Sequence, residues 1–81
     1  MVNRETLKYY VTGTLHNVVK DDDREVVVDK IVTRIIDIKG DEEIYLKIVL
    51  GILLEKNVEY RSATAISGKI ARMVLQNQEV K

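Results

Sequence analysis

Residues 44–54 form an almost unbroken apolar run, and this run restricts what the rest of the chain can fold into. Lys47 and Gly51 interrupt nine apolar side chains. On a helical wheel these side chains cover most of the circumference, which is typical of a helix that is buried on most sides. The run is too short to cross a bilayer, which takes about 20 apolar residues. The sequence therefore predicts a central, buried helix with other helices packed around it.

The residues that flank this run carry the signals of a helix start and a helix end. Asp41 is a good N-cap, because its side-chain oxygen accepts hydrogen bonds from free backbone N–H groups. Glu42 and Glu43 follow, where the helix dipole favours negative charge. Asn57 readily adopts the left-handed conformation that ends a helix. These signals predict a helix over residues 41–56.

Length and composition favour one small helical domain over residues 1–81, with residues 77–81 frayed. The chain contains no Cys, which excludes disulfides and thiolate metal sites, and no Pro, the strongest helix breaker. Its 13 basic and 13 acidic residues balance, so no overall field steers the protein to nucleic acid or to an anionic membrane. The N-terminal residues are polar and do not resemble a signal peptide. We expect a cytoplasmic protein with no membrane partner.

Residues 3–20 predict a first helix, with a hairpin as the alternative. Apolar residues recur there at the three-and-four spacing of one helical face. This face consists of Leu7, Tyr10, Val11, Leu15, Val18 and Val19. Gly13 weakens the prediction, because Gly costs about 1 kcal/mol against Ala inside a helix. A hairpin would pair residues 9–12 with residues 15–19, whose β-branched and aromatic side chains favour strands. The apolar residues do not alternate cleanly, which favours the helix, but over residues 7–19 both remain open.

Pairs of Val and Ile between residues 23 and 39 recur with a period close to 3.6, which predicts a second helix over 23–39. Asp21 and Asp23 come just before or at its start. They predict an aspartate cap and not a calcium loop, because the Gly and Glu that such a loop needs at its sixth and twelfth positions are missing. Gly40 predicts the end of this helix and a short connection to the central helix. The two helices should therefore be antiparallel neighbours.

The sequence offers no set of side chains suited to catalysis. His16 is the one histidine, and Ser62 and Ser67 have no companion that indicates nucleophilic catalysis. The four glycines are isolated from one another, so no loop is suited to cradle a phosphate. We expect a protein that is not an enzyme, with no catalytic residues, no metal and no cofactor.

The segment 41–76 has the order of helix, short turn and helix that is found in DNA-binding helix–turn–helix proteins. Its second helix, predicted over residues 61–76, has a polar face with basic and small side chains. Arginine reads guanine edges, and Ser, Thr and Lys hold phosphates. The predicted DNA-binding residues are Arg61, Ser62, Thr64, Lys69 and Arg72. The turn lacks the usual Gly, and an ordinary solvated face explains the pattern as well. The hypothesis is a small regulator that binds double-stranded DNA.

The alternative function is a helical protein–protein interaction module that acts as an adaptor or inhibitor. The apolar run covers more of its helix than three small neighbours shield, and the second helix adds apolar positions at Val26, Val32 and Ile36. Surplus apolar surface on a small domain indicates a partner. A symmetric homodimer is the commonest such arrangement. We therefore expect an all-α, four-helix domain that forms a homodimer through its second and central helices.

Overall fold

Four α-helices make up the protein in a computed structural model, which describes residues 3–79 except for the side chains of residues 77–79. The helices are α1 (Arg4–Leu15), α2 (Asp21–Ile36), α3 (Glu42–Glu55) and α4 (Tyr60–Glu79). No strand occurs within the described residues, so the predicted all-α domain of four helices is confirmed. The hairpin considered for residues 7–19 is excluded, because this segment consists of most of α1 and the turn that follows it.

The helices form a ring in which each one packs against two others. α1 contacts α2, α2 contacts α3, α3 contacts α4, and α4 returns to α1. The diagonal pairs have no close backbone contact in the described part of the chain. The contact between α3 and α4 is the most extensive, and the contact between α1 and α4 is the least. Because short connections join consecutive helices, the arrangement is an up-and-down bundle, with extents of 35 × 23 × 17 Å.

One apolar core fills the centre of the bundle and draws on all four helices. The buried residues of α1 are Leu7, Val11 and Leu15, spaced four apart as one helical face requires. The buried residues of α2 are Val27, Val28, Ile31, Val32 and Ile35. Val32 is therefore part of the core and not of a surplus apolar surface, whereas Val26 is exposed and Ile36 is half-buried.

α3 buries one face and leaves the opposite face open to solvent in the single chain. Its buried residues are Tyr45, Val49, Ile52 and Leu53. On the other side, Ile44 and Leu54 are 44% and 40% exposed, and Gly51 is exposed as well. The apolar run predicts burial on most sides, but α3 has only two neighbours in the ring. Two neighbours cannot cover a helix all round, so the burial is one-sided.

Both predicted ends of α3 are confirmed. The Asp41 Oδ1 atom accepts a hydrogen bond from the Ile44 amide at 3.0 Å. At the other end Asn57 has a φ of 62°, the left-handed conformation predicted for it. The amide of the residue after Asn57 donates back to the carbonyl of Leu53 at 3.2 Å. This bond belongs to the Schellman motif, which satisfies carbonyls that the helix end leaves free.

The ends of α2 differ from the prediction. The predicted aspartate cap is wrong: the N-cap is Lys20, without a capping side-chain bond, and Asp21 begins the helix. The aspartates lie instead in the first turn, where the helix dipole stabilises negative charge. The helix ends at Ile36, before Gly40. Gly40 has no positive φ, but its Cα lies close to Ile44: a Cβ there would lie 3.0 Å from Cδ1 of Ile44, so a larger residue would have to displace that side chain.

α4 is the longest helix, and it carries small buried residues toward the core. Ala63, Ser67 and Ala71 are buried and lie four residues apart on one side of the helix. Small side chains at this spacing allow a neighbouring helix to approach closely, in line with the extensive contact between α3 and α4. The helix continues to Glu79, past the predicted end at 76. The predicted fraying of 77–81 falls partly outside the described residues.

Candidate nucleic-acid interface

The outer face of α4 carries the basic residues predicted to bind DNA. Arg61, Lys69 and Arg72 are exposed, and none of them forms an ion pair with another side chain that the structure describes. Arg61 and Arg72 are separated by about three helical turns and so project on the same side. Lys69 lies about 60° around the helix axis from Arg72. We call these three residues the cationic face of α4.

The small and hydroxyl residues of the predicted site lie at the margin of the cationic face. Ser62 and Thr64 are half-buried, and the Thr64 hydroxyl donates to the Tyr60 carbonyl at 2.8 Å. Gly68, between these residues and Lys69, is buried. The guanidinium of Arg72 lies back over it, with Nη1 3.5 Å from where a Cβ of Gly68 would be. The structure therefore groups the three cations and places the two hydroxyls beside them.

Acidic residues are concentrated in one half of the bundle, whereas basic residues occur in both halves. Eleven of the 13 acidic residues lie between Asp21 and Glu59, the range that contains α2 and α3. Residues 6–20 and 60–76 contain no acidic residue. The basic residues in these two ranges are Lys8, Lys20, Arg61, Lys69 and Arg72. In α1, Lys8 lies 3.6 Å from the Asp29 carboxylate of α2, and Arg4 donates to the Thr33 hydroxyl of α2. Apart from Glu5 in its first turn, α1 therefore places a surface poor in acidic residues beside α4, but no unpaired lysine.

An open groove of about 650 Å³ separates α1 from α4, the neighbouring helices with the least contact. Its lining residues are Tyr9, Tyr10, Thr12, Gly13 and Thr14 from α1, and Ile66 and Lys69 from α4. We call it the α1–α4 groove. Tyr9 is 84% exposed and Tyr10 is 37% exposed. The sequence places Tyr10 on the buried face of α1, and this part of the prediction is wrong, because the sparse contact between α1 and α4 leaves the ring uncovered.

Gly13 lies on the exposed side of α1, in the wall of this groove. A Cβ at Gly13 would have no atom within 4 Å, and its φ is not positive. Neither space nor backbone conformation within the chain therefore requires a glycine, although Gly inside a helix costs about 1 kcal/mol against Ala. The flanking Thr12 and Thr14 hydroxyls donate to carbonyls of their own helix at 2.7 and 2.9 Å. The groove wall at this point is thus bare helix backbone.

The sequence did not predict that Tyr9 and Gly13 line a groove, and it did not predict that Tyr10 is exposed. The sequence does contain a pattern that indicates a binding surface: two adjacent tyrosines and a glycine within a helix occur in residues 6–20, which contain no acidic residue. The balanced total charge and the assignment of Tyr10 to the core gave no reason to consider it.

The α3–α4 segment has the predicted order of helix, short connection and helix. The two helices contact each other more extensively than any other pair in the bundle. α4 has α3 on one side and α1 on the other. The face of α4 that contacts neither neighbour is its outer face, where Arg61, Lys69 and Arg72 are exposed.

A second concentration of polar contacts holds the connection between α1 and α2. The Arg24 guanidinium donates to the carbonyls of His16 and Val19 at 2.9 and 3.3 Å, and it also contacts the Asp21 carboxylate. These bonds satisfy carbonyls at the end of α1 and fix the start of α2. The cluster is accounted for by its structural role.

Among the side chains that the structure describes, those of residues 3–76, no group of three His, Asp or Glu residues is placed to hold a metal ion. Over residues 3–79, none of the helices combines the length and apolar character needed to cross a membrane. The chain matches no protein-family model, and comparisons with curated proteins and with solved structures gave no match.

Proposed function

We propose that the protein is a small, non-enzymatic regulator that binds nucleic acid through the cationic face of α4. The observation that carries this proposal is that Arg61, Lys69 and Arg72 are exposed and have no ion-pair partner among the described side chains. Three lysines elsewhere lie within 3.3–3.7 Å of carboxylates, but other exposed cations, such as Arg34 and Lys39, have no such partner among the described side chains either. What distinguishes the cations of α4 is that residues 60–76 contain no acidic residue. Unpaired cations gathered on one surface favour a partner that carries many negative charges, as the nucleic-acid backbone does.

Neutralisation of phosphates supplies the expected binding energy and its dependence on salt. Each cation that contacts a phosphate releases condensed counterions, so the affinity falls as salt is added. For three contacts we expect a loss of about 20- to 40-fold between about 50 and 200 mM salt. The two arginines can also form paired hydrogen bonds with phosphate or with guanine.

Titration of fluorescently labelled DNA, single-stranded and duplex, tests the proposal. The double variant Arg61→Ala/Arg72→Ala should weaken binding about 10-fold or more at low salt and flatten the salt dependence by about two contacts. The matched control is Arg34→Ala/Lys39→Ala, which removes the same charge from exposed positions on and after α2. Equal losses in both double variants, or no binding by the folded wild type at low salt, would contradict the proposal.

A separate observation favours a second candidate, a protein-interaction module that pairs with another copy through α3. Ile44, Ile48, Gly51 and Leu54 form an outer strip of α3 that is exposed or half-buried. Nothing lies within 4 Å of the Cβ position of Gly51, so a partner helix could approach the backbone closely there. Lys47 and Glu55 lie on the same side of α3 and form ion pairs with Glu43 and Lys30. A symmetric dimer would cover the apolar residues of the strip.

Light scattering at high protein concentration tests the second candidate, because it measures the mass of the protein in solution. The dimer predicts a mass near twice the 9.3 kDa of one chain for the wild type. It predicts the mass of a single chain for Leu54→Lys, because a charge in the apolar strip opposes pairing. If the wild type has the mass of a single chain, the dimer hypothesis is wrong, and the proposal that the protein binds nucleic acid is unaffected.

A further inference from the structure

We propose that the α1–α4 groove binds single-stranded nucleic acid, with bases stacked on Tyr9 and Tyr10 and the backbone held by the cationic face of α4. This inference rests on the proposed function and narrows it from nucleic acid in general to an unpaired strand. The tyrosines, the bare backbone at Gly13 and the charge of α4 each contribute to it.

The two tyrosines supply aromatic surface where the bundle does not need it. Tyr9 is 84% exposed and Tyr10 is 37% exposed, and both line the groove. Stacking on aromatic rings is the main way in which proteins bind unpaired bases without reading their sequence. Across the groove, Ile66 contributes the small exposed part of its side chain, 7%, to the apolar lining.

Gly13 leaves room for a ligand beside the tyrosines. Position 13 is one turn beyond Tyr9 and Tyr10, and a side chain there would extend into open space within the groove. The chain gains nothing from a glycine at this point, because Ala would fit and would favour the helix. A ligand that contacts the α1 backbone accounts for the missing side chain.

The charge of the groove favours a nucleic-acid strand as its occupant. Lys69 is the one charged residue among those that line the groove, so a phosphate of a strand bound there would have a cation beside it and no carboxylate. A second copy that docked by the same side would bring two Lys69 side chains together with no carboxylate among the lining residues to pair with them, which is unfavourable. A duplex would keep its bases stacked on one another, out of reach of Tyr9 and Tyr10.

Three labelled probes of about 12 nucleotides test the inference: oligo-dT, its duplex with oligo-dA, and an abasic strand with the same phosphates. In about 50 mM salt we expect oligo-dT to bind about 10-fold or more tightly than the other two. Tyr9→Ala should weaken oligo-dT binding about 5- to 100-fold and leave the abasic strand unchanged. The matched control is Tyr60→Ala, an exposed tyrosine outside the groove, which should bind all probes as the wild type does.

The variant Gly13→Gln shows whether binding is lost because the groove is blocked or because the protein is unfolded. Gln is a good helix former that would extend into the groove, so thermal unfolding should occur about 5 °C higher while oligo-dT binding weakens. If the three probes bind equally and Tyr9→Ala and Gly13→Gln change nothing, the stacking groove is wrong and the proposed function stands. If no probe binds the folded wild type at low salt, both are wrong.

Discussion

The hydroxyl of Tyr45 is the polar end of the largest fully buried side chain, and it has hydrogen-bond partners. It donates to the Ile38 carbonyl at 2.6 Å and accepts from the Gly40 amide at 3.3 Å. Both partners belong to the connection between α2 and α3. One side chain in the core therefore fixes the loop that sets these helices side by side.

Tyr45→Phe should destabilise the protein by about 1–2 kcal/mol, because it leaves two backbone groups of the α2–α3 connection without this partner. Urea unfolding followed by circular dichroism measures the change. The control is Tyr60→Phe, at a position that is 65% exposed, which should leave the unfolding midpoint unchanged. Equal midpoints for wild type and Tyr45→Phe would mean that the hydroxyl does not hold the loop.

Residue-scale features could be predicted where the signal is local in sequence. The Asp41 cap and the left-handed Asn57 depend on the few residues around a helix end, and both were predicted. The close approach of Gly40 to Ile44 could not be predicted from neighbouring residues, because it depends on where the Ile44 side chain lies in the folded loop. The hydrogen bonds of Tyr45 depend on the same loop geometry.

Among the helices, α3 shows how apolar sequence and burial can differ. Leu53 is fully buried and Leu54, the next residue, is 40% exposed. The adjacent positions project about 100° apart around the helix axis, so one points into the core and the other does not. The pair allows the burial of one face of α3 to be tested with identical substitutions.

Leu53→Lys should cost at least about 3 kcal/mol, because it buries an unpaired charge in the core. Leu54→Lys should change the stability of the single chain by less than about 1 kcal/mol, since its side chain can reach water. Thermal unfolding at low protein concentration compares the two without a contribution from pairing. Similar losses in both variants would mean that α3 is covered on both sides.

The existence and order of the helices followed from hydrophobic periodicity, which depends on each segment by itself. The number of neighbours that each helix has does not follow from periodicity. The run at 44–54 predicts a helix covered on most sides, yet the ring gives α3 two neighbours and an open outer strip. For the same reason the exposure of Tyr10 was missed, because it depends on how closely α4 approaches α1.

In the whole molecule the net charge is zero, but the two sides of the bundle differ in how many acidic residues they carry. The α2 and α3 half holds most of the acidic residues, whereas the α1 and α4 half has Glu5 as its one acidic residue among the described side chains. Lys8 of α1 is paired with Asp29 of α2, so the unpaired cations of this half are mainly those of α4. Sequence reasoning identified Arg61, Lys69 and Arg72 from the last helix alone. It could not add α1 to the site, because the adjacency of the first and last helices exists only once the ring has closed.

The most direct test of the nucleic-acid interface is a map of backbone amide chemical shifts as oligo-dT is added at low salt. The account predicts the largest shift changes at residues 9–14 and 61–72, with small changes over α2 and α3. Added salt should reverse these changes, because the phosphate contacts are electrostatic. Changes concentrated on the outer strip of α3, or no changes at low salt in the folded protein, would contradict it.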